Sequence, residues 1–332
     1  MQKTIQNFLF GTAVADSFGT GIEGQCRKWI RTHVDFTRYL NCRTERFLIG
    51  YSVGDYSDDT ADVIAMMHAL TRHRQGETLT TDILLSEIRA QYEISRLTRN
   101  GNPRSGYGSI QWVFENRMSI DELRRFQAAR TYPGNAPVMR AAIIGFMPES
   151  EINILATINA DATHPHPKAR AASILVARAL RFLVQELGDP LQLIDYCREH
   201  IRWLDPETYV YLGLIDALSD DVDLRFRLDT DFELIIGTQP IMSFMTDSNI
   251  YGLNSDSMRT AGMALYLLKH CRSSMEALRR SIRIGGDVDS LAAVVVGIIG
   301  ARYGLSDIPD FMFREMEFSG KNIGMQEFAR RI

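Results

Sequence analysis

The stretch Gly285-Gly286-Asp287-Val288-Asp289-Ser290 leads directly into the apolar run Leu291 to Ala301. Because that run is apolar on nearly every face, it predicts a helix buried in the core. Two carboxylates at the start of a buried helix need strong partners, and a capping role explains only part of the pattern. We therefore favour cation binding by Asp287 and Asp289 over capping alone.

A second acidic stretch, Ser57-Asp58-Asp59-Thr60, also precedes a helical pattern. Ser57 is a good helix cap and Asp suits a first helical turn, which explains one aspartate better than two. If the two stretches meet in the fold, four Asp side chains share a small volume and need cations to stay ionised. Their hard oxygen ligands indicate two Mg²⁺ or Mn²⁺ ions in a two-metal hydrolase site.

The size and charge of the chain are those of an ordinary soluble globular protein. It has 332 residues, 45% of them hydrophobic, and a formal net charge of −4. No linker or repeat stands out, so we expect one domain over residues 1–332. The charge gives no sign of a nucleic-acid groove or of binding to an anionic membrane surface.

Cysteine usage and the N-terminus indicate a cytoplasmic protein. The scattered cysteines form no CxxC pair and predict reduced thiols; they are Cys26, Cys42, Cys197 and Cys271. The N-terminal segment lacks the features of a signal peptide. The longest apolar run is too short to cross a bilayer, so we expect no membrane association.

Helical patterns dominate the chain. Apolar residues recur at helical spacing from Leu175 to Leu187, and capping boxes at Ser119 to Glu122 and Ser273 to Glu276 mark further helix starts. Runs of period two are few, and Phe232 to Ile236 is one weak strand candidate. The sequence therefore predicts an all-α fold.

Three further segments carry residues suited to chemistry. Asp16 lies among small residues; if it borders the acidic site, Glu23 is a candidate acid–base group. The loop Arg104 to Ser109 offers backbone amides and an aromatic face for a phosphate or a base, although a glycine-rich loop alone is a weak signal. His164 and His166 make an unconvincing HxH metal site, because no further histidine is placed to complete it, so His164 is better suited to a structural or substrate contact.

Taken together, these motifs resemble the ADP-ribosylglycohydrolase family, which includes dinitrogenase reductase-activating glycohydrolase and the ADP-ribosyl-acceptor hydrolases. The family motifs occur in the right order, as Gly11, Ala13, Asp16 and Glu23; Ser57 to Thr60; Gly106 to Gly108; Gly134, Asn135 and Met139 to Gly145; Thr163-His164; and Gly285 to Gly304. Ser57 and Ser290 replace threonines but keep the hydroxyl, and Ala15 and Val288 are further departures. No carboxylate is lost, so we expect an active enzyme.

The resemblance implies a compact multi-helix bundle with a dinuclear metal site. It assigns two Mg²⁺ (or Mn²⁺) ions to Ser57, Asp58, Asp59, Asp287, Asp289 and Ser290. It implies catalytic roles for Glu23, Asp289 and Asp16, with Glu23 on a loop near the anomeric carbon. The diphosphate and distal ribose of ADP-ribose would bind at Gly106, Tyr107, Gly108, Ser109 and His164.

The implied activity is metal-dependent removal of ADP-ribose from a modified protein side chain or a related conjugate. Such an enzyme could reverse the action of a toxin or a regulatory transferase, and we expect it to act as a monomer. The sequence leaves the bond open: ADP-ribosyl-arginine, ADP-ribosyl-serine, O-acetyl-ADP-ribose and ADP-ribosylated nucleic acid all fit, although nucleic acid is the least expected partner.

Two other functions fit parts of the sequence. Asp58-Asp59-Thr60-Ala61-Asp62 is formally a DDxxD motif, as in all-α Mg²⁺-dependent isoprenoid synthases. A second aspartate-rich motif inside a helix is missing, and the glycine–tyrosine loop has no role in such an enzyme. A non-catalytic ADP-ribose-binding protein on the same fold is the other alternative, and the intact carboxylates argue against it.

Overall fold

Helices make up the regular structure in the described part of the chain. The computed structural model describes residues 1–41, 51–225, 230–237, 252–321 and 323–332. The α-helices in these ranges are α1 (Gln2–Thr20), α2 (Arg27–His33), α3 (Asp58–Arg74), α4 (Thr81–Thr98), α5 (Gly108–Phe114), α6 (Ile120–Ala128), α7 (Ala136–Met139), α8 (Ile152–Thr163), α9 (Pro167–Leu180), α10 (Leu193–Glu199), α11 (Pro206–Asp216), α12 (Thr230–Ile236), α13 (Ser257–His270), α14 (Ser274–Ile282), α15 (Val288–Tyr303), α16 (Asp310–Glu315) and α17 (Met325–Arg331). Short 3₁₀ segments span Ala142–Phe146 and Pro190–Gln192, and a π-helical turn over Arg181–Gln185 extends α9.

The all-α prediction is confirmed. Within the described ranges, β pairing is limited to two isolated bridges, Gly134 with Asp256 and Leu253 with Gly286. The strand candidate at Phe232 to Ile236 is wrong, because this segment lies in α12. Its buried residues are Phe232, Ile235 and Ile236, which is the spacing of one helix face.

Helix α15 is the buried helix that the apolar run predicted. Every residue from Val288 to Ala301 is buried. It packs against α1, α13 and α14, and an extensive apolar core surrounds it. The start of α15, which carries Asp287 and Asp289, is therefore held inside the protein.

Helix α1 runs antiparallel to α15 at very short range. Gly11 faces Val296 near one end of the contact, and Gly19 faces Asp289 near the other. A Cβ added to Gly19 would lie 2.4 Å from the Cα of Asp289, so the two backbones meet there. This contact positions the C-terminal end of α1 beside the acidic start of α15.

Two further observations concern membrane spans and the cysteines in the described part of the chain. In the described ranges, no helix combines the length and apolar character needed to span a bilayer. Cys26, Cys197 and Cys271 are free thiols. Cys42 lies outside the described residues.

Gly19→Ala should lower the free energy of unfolding by about 1–3 kcal/mol, because the new methyl group overlaps the backbone of Asp289. Gly213→Ala is a matched control in the middle of α11, where an added Cβ meets only the tip of the Arg198 side chain. That control should be neutral or stabilising by up to about 1 kcal/mol. Urea unfolding of both variants measures the difference; equal stability of Gly19→Ala and the parent would contradict the close contact.

Candidate active site

The two acidic stretches meet at the N-terminal ends of α3 and α15. Ser57 caps α3 by accepting a hydrogen bond from the Asp59 N–H, and Asp287 occupies the cap position of α15. The hydroxyl of Ser290 donates to Asp59 Oδ2 over 3.0 Å, which joins residues 231 positions apart. The predicted meeting of the two stretches is confirmed.

Asp16 links α1 to the start of α3. Its carboxylate is fully buried and accepts hydrogen bonds from the backbone N–H groups of Ser57, at 3.0 Å, and Thr60, at 3.0 Å. The hydroxyls of Thr60 and Thr20 also donate to it. Because the first N–H groups of a helix lack intrahelical partners, Asp16 completes the N-terminus of α3 as well as facing the site.

The carboxylates form two groups that share one residue. Single oxygens of Asp16, Asp59 and Asp289 lie within 4.8 Å of one another, and so do those of Glu23, Asp287 and Asp289. Asp289 therefore lies at the centre of the cluster. Either group is a set of oxygen ligands that could hold a metal ion.

Burial and mutual repulsion shape the charge of this cluster. Burial raises the pKa of Asp58 well above its usual range, and the neighbouring Asp62 carboxylate adds to the effect. Burial also raises the pKa of Asp59, with Asp58 as the next largest cause. Such carboxyl groups either hold protons or need a cation nearby. The donor set, carboxylate and hydroxyl oxygens, fits a hard divalent cation.

A glycine turn brings Glu23 to the cluster. Gly286 has a φ of +82°, and a Cβ there would lie 2.1 Å from the Leu253 carbonyl oxygen. Its carbonyl accepts from the Gly24 N–H and its N–H donates to the Gln25 carbonyl, each over less than 3 Å. The segment that carries Glu23 is thus bound to the residue just before Asp287. Sequence reasoning left Glu23 outside the ligand set, whereas its carboxylate lies within reach of the ligands.

The acidic cluster forms part of the wall of a cleft of about 1060 Å³. All five residues predicted to bind substrate line this cleft: Gly106, Tyr107, Gly108, Ser109 and His164. The lining also includes Glu23, Asp58, Asp59, Asp287, Asp289 and Ser290. Asp16 and Ser57 are buried and hold the start of α3 through the bonds described above.

The loop before α5 is fixed to the acidic wall. The Asp58 N–H donates to the Ser105 carbonyl over 2.9 Å. Tyr107 is buried, and its ring packs edge-on against Tyr92, with 5.2 Å between the centroids. The ring of Tyr107 therefore contributes mainly to packing, which leaves the backbone of the loop as the better candidate for ligand contacts.

Sequence reasoning assigned no role to several polar residues of the cleft. Asn135 donates through Nδ2 to Asp287 Oδ2 over 2.8 Å and so orients a predicted ligand. Arg140, which is 1% exposed, bonds Asp62 Oδ2 over 3.0 Å. Asn135 and Arg140 belong to the Gly-Asn and Met-Arg motifs noted in the sequence. The four-residue spacing of Asp58 and Asp62 was the sequence feature that could have placed both on one helix face.

The chain is similar to known proteins over nearly all of its length. A family model described as ADP-ribosylglycohydrolase matches residues 2–331. ADP-ribosylhydrolase ARH3 of Mus musculus is 22% identical over 275 residues, which cover 77% of this chain and 71% of that protein. ADP-ribosylhydrolase ARH3 of Xenopus tropicalis is 22% identical over 330 residues, with 91% and 87% covered. A solved ADP-ribosylglycohydrolase-related protein complex has a TM-score of 0.59 at 18% identity and covers 100% of this chain and 99% of its own, which shows a shared fold.

Asp59→Asn should stabilise the protein in a chelating buffer, increasingly so as the pH rises above about 4. The carboxyl of Asp59 has a raised pKa in the folded state, whereas in the unfolded chain it titrates near pH ~3.9. The contribution of the Asp59 carboxyl to folding stability is therefore fully present below its pKa in the unfolded chain. It is lost as the pH rises towards the raised pKa of this group in the folded protein. Asparagine carries no titrating carboxyl, so the Asp59→Asn variant does not lose this stability as the pH rises.

Thermal unfolding of parent and Asp59→Asn between pH 4 and 8, with EDTA and then with excess Mg²⁺, measures the effect. Mg²⁺ should raise the melting temperature of the parent more than that of the variant. Asp82→Asn, at an exposed carboxylate in the first turn of α4, is the matched control and should show neither trend. A pH-independent difference between parent and Asp59→Asn would contradict the charge argument.

Proposed function

We propose that this chain, which belongs to the ADP-ribosylglycohydrolase family, is a metal-dependent hydrolase that releases ADP-ribose from a modified protein side chain or a related conjugate. The family match over residues 2–331 supports an ADP-ribosyl hydrolase activity. The observation that carries the proposal is the buried meeting of two acidic helix starts in the wall of a large cleft. Relatives named ADP-ribosylhydrolase ARH3 are only 22% identical, so the bond cleaved is left open.

The proposed cofactor is a pair of Mg²⁺ or Mn²⁺ ions. The residues that would hold them are Ser57, Asp58, Asp59, Asp287, Asp289 and Ser290, with the Glu23 carboxylate within reach of two of these ligands. When bound, such ions supply positive charge that orients substrate hydroxyls and favours ionisation of water. The raised pKa values of Asp58 and Asp59 support this assignment, because cations would favour the ionised carboxylates against the burial, and then the mutual repulsion, that raise these values.

The positions of three other residues suggest their roles in the reaction. The carboxylate of Glu23, beside Asp287 and Asp289, would accept a proton from the attacking water or stabilise positive charge at the anomeric carbon. Asp16 would keep Asp58 and Asp59 in place through the start of α3. Asn135 would fix the orientation of Asp287 through its 2.8 Å bond.

The cleft would hold ADP-ribose along its length. Its volume of about 1060 Å³ matches the upper range of ligand sites, roughly 300–1,000 Å³. The scissile bond would lie at the acidic wall, and the diphosphate and distal ribose at Gly106 to Ser109 and His164. Backbone N–H groups of that loop suit phosphate oxygens.

We also propose that residues 1–332 act as one domain and as a monomer in the cytoplasm. The family match from residue 2 to residue 331 and a core that extends from Ile5 to Phe328 support a single folding unit. A synthase of the DDxxD type receives less support, because Asp62 is bound by Arg140 in a buried ion pair. A non-catalytic ADP-ribose-binding protein would need the same cleft, and turnover separates the two.

A panel of defined ADP-ribosylated substrates, assayed for released ADP-ribose with Mg²⁺ and with EDTA, tests the function. The panel covers ADP-ribosyl-arginine, ADP-ribosyl-serine, O-acetyl-ADP-ribose and an ADP-ribosylated oligonucleotide. We expect Mg²⁺-dependent release from at least one substrate and none from Asp289→Asn, whose change removes the carboxylate common to both acidic groups. Binding of ADP-ribose without any release across the panel would favour the non-catalytic alternative.

Glu23→Gln should slow turnover by on the order of 10²-fold or more, with little change in the affinity for ADP-ribose. Gln keeps the size of the side chain but cannot accept a proton or balance a positive charge. Calorimetric titration with ADP-ribose and single-turnover hydrolysis measure the two effects separately. Glu93→Gln, at a half-exposed carboxylate of α4, serves as the control. A parallel collapse of affinity and rate would make Glu23 a ligand-binding residue instead.

A further inference from the structure

A buried arginine connects α3 to the segment that carries His164. Arg140 donates from Nη1 to Asp62 Oδ2 over 3.0 Å and from Nη2 to the Asn159 carbonyl over 3.0 Å. It also donates from Nε to Asn159 Oδ1, and from Nη2 to Thr163 Oγ1 over 2.7 Å. The guanidinium is therefore held by Asp62 of α3 and by Asn159 and Thr163 of α8, and Thr163 directly precedes His164 of the cleft.

The hydrogen bonds of the Thr163 hydroxyl indicate which nitrogen of the neutral His164 ring carries the proton. Thr163 Oγ1 accepts from Arg140, which has no acceptor atoms, and lies 2.7 Å from His164 Nδ1. If the hydroxyl donates to Nδ1, every proton in this chain of bonds has an acceptor. If Nδ1–H donates instead, the hydroxyl proton of a residue that is 2% exposed has no acceptor among the described residues, which is costly. The network therefore places the proton of the neutral ring on Nε2.

The surroundings of His164 keep the ring neutral, and Nε2 lies beside Gly134, which also lines the cleft. Burial lowers the pKa of His164 well below its usual range, and the positive charges of Arg140 and Arg130 lower it further. Nε2 lies against Gly134, where an added Cβ would be 2.9 Å away, and it has no hydrogen-bond partner in the described part of the chain. His164 itself lines the cleft.

We propose that Arg140 and Thr163 are positioning residues that hold His164 as the Nε2–H tautomer, a fixed donor for an anionic oxygen of the ligand. The two arginines create a positive potential at the ring, which disfavours an imidazolium but attracts an anion. In a cleft that is also lined by acidic residues, the surroundings of His164 are suited to the diphosphate. The identity of the ligand rests on the proposed function, whereas the tautomer does not.

Thr163→Val tests the tautomer directly, and Thr163→Ser is the matched control. Valine keeps the shape of threonine but removes the hydroxyl, and serine retains it. Nitrogen-15 NMR of labelled histidines, with His164 assigned by comparison with His164→Gln, distinguishes a protonated Nε2 from a protonated Nδ1. The parent and Thr163→Ser should show a neutral ring protonated at Nε2, and Thr163→Val should show a mixture of tautomers. A proton on Nδ1 in the parent, or an unchanged tautomer in Thr163→Val, would overturn the assignment.

Ligand affinity tests the role of the donor. Calorimetry should show that Thr163→Val weakens the binding of ADP-ribose and ADP by about twofold, because only the rings that keep the proton on Nε2 can donate, and leaves adenosine binding unchanged. In the hydrolysis assay KM should rise while kcat stays nearly constant, because this contact lies away from the reacting bond. Weakening of adenosine as much as of ADP would overturn the diphosphate assignment. Absence of ADP-ribose binding to the parent would refute the proposed function and this ligand assignment, but the NMR result for the tautomer would still stand.

Discussion

The contact of α1 with both α3 and α15 is the constraint on which the site depends. On one side, Gly19 lets the backbone of α1 approach Asp289 so closely that a side chain cannot fit between them. On the other side, Asp16, three residues earlier, binds the N–H groups at the start of α3. One turn of α1 thus fixes the position of both acidic helix starts. The position of each acidic stretch therefore does not depend on the other. The hydrogen bond from Ser290 to Asp59 joins two helix starts that α1 already holds in place.

This arrangement concentrates negative charge where a folded protein has difficulty accommodating it. Helix N-termini, the amide of Asn135 and the hydroxyl of Ser290 offset part of the repulsion, since each offers a positive end of a dipole to a carboxylate. The pKa values of Asp58 and Asp59 nevertheless remain raised, first by burial and then by the neighbouring carboxylates. If the site binds cations as proposed, it gives up stability in their absence in return for that binding, which is the usual conflict between stability and activity.

The sequence predicted the elements better than their mutual arrangement. The buried helix α15, the cap at Ser57 and the acidic character of the site could be derived, because each depends on residues close together in the chain. Phe232 to Ile236 was predicted wrongly because a run of five apolar and acidic residues has no clear period, and burial of one helix face decided its structure. The approach of Glu23 to Asp287 could not be derived, since it depends on the bonds of Gly286 to the backbone around Gly24. The bonds from Arg140 to Asp62 and Thr163 were likewise hidden, because they join three separate segments.

The acidic cluster and the histidine of the cleft make opposite electrostatic demands, and separate groups of the chain meet them. Without cations, the carboxylates of Asp58 and Asp59 would repel any anionic ligand group placed beside them. Near His164, the guanidinium of Arg140 is held by Asp62 and donates to Thr163 Oγ1, which lies 2.7 Å from His164 Nδ1. Under the assignments proposed above, the neutral ring and not the arginine would contact the ligand, and the arginine, already paired with Asp62, would not compete with divalent cations for the acidic cluster. An anionic diphosphate and a divalent cation would then be able to occupy the same cleft.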